Sequence, residues 1–223
     1  MRTTSTKSTI LVCLALLAPL SACFPEPPTT TTREVKEVAR NALSTLERLV
    51  NRENYMDLGF RSLDEVSRAT VGEPLPVSMV RLDELAAYQR DQDPTPLLHP
   101  TPQTFAPVLV DGEVRSSMIV HPRRVDGALT VGGFGGSALI RALETARRQS
   151  MDRTRRPASD YFDVEVPALH RHFVAYRQEN QVLLIPIFDD DRLGFEAGQT
   201  MRAQEVFARL VPEARRDMTD KPG

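Results

Sequence analysis

Asp111-Gly112 stands between two apolar runs, residues 105–110 and 113–120. An Asp-Gly pair in that setting is a strong short-range sign of a two-residue hairpin, because both central positions of a type I′ turn need positive φ. The turn pairs Val110 with Glu113 and Leu109 with Val114. Regular alternation then puts Phe105 and Leu109 on one face with Val114, Met118 and Val120, and puts Glu113, Arg115 and Ser117 on the other. A second Asp-Gly, at 126–127, leads into a third run, residues 128–134, so an antiparallel meander is expected.

The flanking segments alternate between helix and strand patterns. Residues 33–54 carry Val35, Val38, Ala39, Ala42, Leu43 and Leu46 at helical spacing. Ser62 and Glu65 have capping-box spacing for a short helix, followed by a strand at 75–82 and a helix at 83–90. Residues 91–107 hold five prolines and read as a long surface loop. A helix is expected at 138–148 with Ser137 as its N-cap, then an alternating strand at 161–166. Residues 173–177 and 182–188 flank Glu179-Asn180 as a second hairpin, and Thr200 caps a closing helix at 201–215. Six arginines lie between Arg141 and Arg156. Arg147 and Arg148 suit the last turn of the helix, and the rest read as a solvated linker or a patch for an anionic partner. Runs of strands between lone helices favour an α+β fold with antiparallel meanders packed against amphipathic helices. The regions 33–134 and 135–217 have similar order and form either one domain or two, and residues 218–223 form a tail.

At the N-terminus, Arg2 and Lys7 precede an apolar run over residues 10–20, the layout of a secretory leader and too short to span a bilayer. The run ends in Leu20-Ser21-Ala22-Cys23, which resembles the lipobox of bacterial lipoproteins. The resemblance implies that residues 1–22 are removed and that Cys23 is acylated. It also implies a membrane anchor and, in an organism with two membranes, the periplasmic face of the outer one, since Phe24 rather than Asp follows the cysteine. Residues 23–32, rich in Pro and Thr, then serve as an extended tether of about 25–30 Å. Cys13 leaves with the leader and Cys23 is blocked, so no thiol remains for a disulfide, zinc or nucleophilic catalysis. The chain has a formal charge of −2, which is no footprint for nucleic acid.

No catalytic constellation is evident. The glycine-rich stretch 132–136 lacks the Lys-Ser/Thr of a phosphate loop and fits no dinucleotide fingerprint. Ser116, Ser117 and Ser137 lack a nucleophile-elbow motif. His170 and His172 would share a face on a strand, but a helical turn would set them about 200° apart. Asp189, Asp191 and Gly194 match part of a calcium loop, yet Leu193 and Thr200 stand where ligands are needed. The expectation is a lipid-anchored envelope protein with a non-catalytic binding or structural role on an envelope partner, and no cofactor. Two alternatives are a periplasmic hydrolase built on His121, His170 or His172, and a carrier of an apolar ligand.

Overall fold

The computed structural model describes residues 31–220. Cys23, its leader and most of the tether therefore lie outside the described residues. In chain order the elements are α1 (Thr32–Leu49), β1 (Thr70–Val71), β2 (Leu75–Met79), α2 (Leu82–Ala87), β3 (His99–Val110), β4 (Glu113–Pro122) and β5 (Leu129–Gly135). They continue as α3 (Ser137–Thr154), β6 (Tyr161–Val166), β7 (Arg171–Gln178), β8 (Gln181–Pro186), β9 (Met201–Arg202) and α4 (Ala203–Asp220). The fold is α+β. Its nine strands form one mixed sheet in the order β5-β4-β3-β2-β6-β7-β8-β9, with β1 on β3. β2 and β6 pair in parallel, and every other pairing is antiparallel. That one parallel contact joins the two meanders into a continuous sheet.

Strand alternation divides the core among the helices. Ala106, Val108, Met118 and Val120 face α1, where Val35, Ala39 and Leu46 close over them. Val164, Phe173, Ala175 and Leu184 pack on Leu85 of α2 and on Phe207 and Leu210 of α4. Leu75, Tyr161 and Val174 turn to the opposite face, against Ile140 and Leu143 of α3. Each Val, Leu, Ile, Phe or Met among them, fully buried, contributes about 1.5–3 kcal/mol. Among the described residues α3 is the one α-helix on its face, so part of that face is left uncovered. No helix among the described residues is long and apolar enough to cross a membrane.

The Asp111-Gly112 turn forms with both residues at positive φ, and Val110 pairs with Glu113 as expected. The register then shifts: Leu109 opposes Val114, but Val108 opposes Ser116, which leaves Arg115 as the extra residue of a bulge. Met118 and Val120 consequently lie with Ala106 and Val108, on the opposite face from Phe105, Leu109 and Val114. Arg115 itself is buried, held at 3.0 Å by Glu65. Glu65 is thereby taken from its expected capping box; Ser62 makes no side-chain cap, and residues 63–68 form a 3₁₀ turn.

The proline-rich stretch is not a loop throughout, because β3 begins at His99. Pro100 lies where β3 pairs only with β2, an edge position at which a residue without an N–H is tolerated. Pro107 falls in the gap between β1 and β2, where its carbonyl alone is used, by the Gly72 N–H at 2.8 Å. The arginine-rich stretch is not a linker either, since α3 runs six residues past Arg148, to Thr154. Arg147 is buried, 2.6 Å from Glu144 and bonded to the carbonyls of Glu73 and Pro74. The N-cap of α3 is Gly136, in the left-handed conformation, and Ser137 is the first helical residue. At the other end of the chain Met201 and Arg202 form β9, which delays the closing helix to Ala203. The first helix stops at Leu49, earlier than periodicity suggests, and starts from a Thr31–Glu34 capping box.

Candidate functional site

The uncovered part of the α3 face holds a partly open pocket of about 300 Å³. Its floor is the sheet, where Phe105 of β3, Ile119 of β4 and Gly133 of β5 share one face, and its wall is Leu139, Ile140 and Leu143 of α3. Gly133 directly opposes Ile119, and a Cβ placed on it would meet nothing within 4 Å. Glycine here leaves the room that a side chain would take. Gly135 and Gly136, both at positive φ, turn the chain from strand to helix, and the Ser117 hydroxyl anchors the turn by donating to the Gly135 carbonyl at 2.7 Å.

The polar end of the pocket comes from β6 and β7. Their register sets Glu165 directly opposite His172, with Asp163 one pleat further along the same face. The Asp163 side chain is fully buried; its Oδ2 lies 3.0 Å from His172 Nδ1, and its Oδ1 has no hydrogen-bond partner. Burial disfavours the Asp163 carboxylate and raises its pKa, against the pull of His172. Burial also disfavours the His172 imidazolium, but the hydrogen bond and charge of Asp163, with Glu165 beyond, outweigh it and raise the pKa of His172. The two groups thus hold a shared proton above the pH at which a free imidazole loses its own. Both His172 and Glu165 line the pocket; Asp163 sits behind them.

The other expected groups are spent elsewhere. His170 lies in the left-handed conformation after a 3₁₀ turn, away from His172 and beside a shallow cleft lined by Arg192, Glu213 and Arg216. His121 bonds the Pro122 carbonyl through Nδ1 at 3.0 Å and lies across Gly132, the extra residue of a bulge in β5. Asp190 pairs with Arg171 and accepts from the Leu193 N–H, while Asp189 accepts from Ala197, so both carboxylates close a loop. No cluster of three metal-ligating side chains occurs among the described residues. The Asp163–His172 pair has the form of a general base, yet among the described residues no serine hydroxyl hydrogen-bonds to it, and Ser117 donates to the Gly135 carbonyl. The pocket thus has an apolar wall that ends in a carboxylate and an imidazole.

The Asp163–Glu165–His172 group was legible only in part. Strict alternation places Tyr161, Asp163 and Glu165 on one face, and the aromatic residue in that register is the sign that the face is covered. Comparison of the chain with protein-family models, with curated proteins and with solved structures gives no match.

Proposed function

We propose that this chain is a lipid-anchored, non-catalytic binding protein of the cell envelope, held to the outer membrane through Cys23, and that the pocket beside α3 is its binding site. The anchoring reading rests on Leu20-Ser21-Ala22-Cys23 and the Pro/Thr tether after it. The observation that carries the binding reading is the apolar floor and wall around about 300 Å³, a volume within the range of small-molecule sites. It favours the apolar-ligand alternative over a flat protein-docking face, with the difference that the space is partly open and shared by both meanders. A hydrolase is disfavoured because, among the described residues, no serine or threonine hydroxyl hydrogen-bonds to the Asp163–His172 pair.

Two measurements test this. Cys23→Ser should move the protein from the membrane fraction to the soluble fraction; retention after a carbonate wash would overturn the anchoring. Purified protein should enhance Nile red fluorescence, and Gly133→Phe, which fills the open space at the pocket floor, should abolish the enhancement without lowering the Tm. Undiminished enhancement in a folded Gly133→Phe protein would overturn the pocket as the site.

A further inference from the structure

Charge at the pocket's polar end is one-sided. Of the described residues lining the space, only Glu165 and His172 are ionisable, and no Lys or Arg is among them. His172 is matched by Asp163 behind it, so that pair is neutral overall wherever its one proton resides. Glu165 is different. Its carboxylate accepts no hydrogen bond and makes no ion pair among the described residues, although it is half-buried at the edge of an apolar space. With the shared proton on the pair, the three groups carry one negative charge in excess, and it faces the ligand space.

We propose that the pocket selects amphiphiles bearing a protonated primary amine, the ammonium seated at Glu165 and the apolar body lying along Phe105, Ile119 and Leu143. This rests on the reading of the pocket as the binding site. The ammonium supplies the donors that Glu165 lacks, and a charge-assisted hydrogen bond of this kind is stronger than its neutral counterpart. The apolar tail gains affinity through the buried methylenes, independently of the head group. A carboxylate head would meet Glu165 as a like charge. The one feature pulling the other way is the start of α3 at Gly136, which has no side-chain cap.

Three ligands with one tail separate these contributions: octylamine, octan-1-ol and octanoate, measured by calorimetry at pH 7.5 and low salt. Octylamine is expected to bind about tenfold more tightly than octan-1-ol, with octanoate the weakest. Glu165→Gln, which keeps the shape and the strand, should bring octylamine to the affinity of octan-1-ol and leave octan-1-ol unchanged. If octan-1-ol binds but octylamine is no tighter, or its advantage survives Glu165→Gln, the amine preference is overturned while the pocket stands. Octanoate binding tightest would likewise overturn it, in favour of an anion at the helix start. Binding by none of the three would overturn both readings.

Discussion

Replacing His172 by Leu tests the central electrostatic claim, that Asp163 is tolerated in the core because His172 shares a proton with it. The Asp163 side chain is fully buried, and its one hydrogen bond is the 3.0 Å contact with His172 Nδ1. Without the imidazole, the variant at pH 8 must either bury an unpaired carboxylate or take up a proton. Breaking a buried pair by removing one partner costs about 3–5 kcal/mol. Uptake of a proton limits the cost, so a loss of about 3 kcal/mol is expected at pH 8, seen as a Tm lowered by about 6–12 °C. Burial raises the pKa of Asp163, so the proton that neutralises it is taken up at less cost at pH 5, and the loss should shrink to about 1 kcal/mol. Asp163→Val with His172→Leu removes both members of this pair, so neither is left unpartnered, and should cost less than His172→Leu alone at pH 8. The wild type has its own signature. The pKa of His172 is raised on folding, so the stabilisation is fully present below about pH 6.5 and is lost as pH climbs through the higher folded value. Urea unfolding of the three proteins at pH 5 and pH 8 measures all of this. Equal losses for His172→Leu at both pH values, together with a double variant at least as unstable, would refute the shared-proton account.

Gly59 sits at φ +94°, with Arg115 O only 2.0 Å and Ser137 Cβ 2.6 Å from where a Cβ would stand, so Gly59→Ala should cost about 3 kcal/mol or more by thermal unfolding. A Tm within 2 °C or so of wild type would contradict that close approach. Arg147→Met removes the partner of buried Glu144, whose pKa burial already raises, and should cost about 3–5 kcal/mol; adding Glu144→Leu should recover part of it, as a double-mutant cycle in urea would show.

Local turn chemistry was readable from the sequence, and long-range partners were not. Asp111-Gly112 specifies its turn because the φ requirement is local, whereas the bulge at Arg115 answers to Glu65, fifty positions away. The buried pair draws Arg115 inward, and the shift reverses the faces of everything after it in β4. Prolines mislead in the same way. Pro100 and Pro107 are compatible with β3 only because neighbouring strands stop short beside them, and which strands lie there is a tertiary fact. Likewise Arg147 reads as a last-turn cation and Arg153 as part of a solvated linker until the carbonyls of Glu73, Pro74 and Gly198 supply their partners.

The site follows the same logic. Read along the strand, Tyr161, Asp163 and Glu165 share a face that two carboxylates would mark as solvent-exposed. Tyr161 is instead covered by α3 and Asp163 is fully buried beside His172, while Glu165, at the far end, lines the pocket. The glycine-rich stretch has the opposite ambiguity. It serves as the tight strand-to-helix turn that Gly135 and Gly136 make, and Gly133 additionally withholds a side chain directly opposite Ile119. A nine-stranded sheet with one α-helix on this face among the described residues leaves surface to cover, and a glycine on its edge strand β5, opposite Ile119, leaves a space there rather than filling it. Had selection been for closure alone, a β-branched residue at 133 would have added both strand propensity and core contact. Its absence, in a space whose far end holds the Glu165 carboxylate, is why the pocket and not the turn is the feature to test.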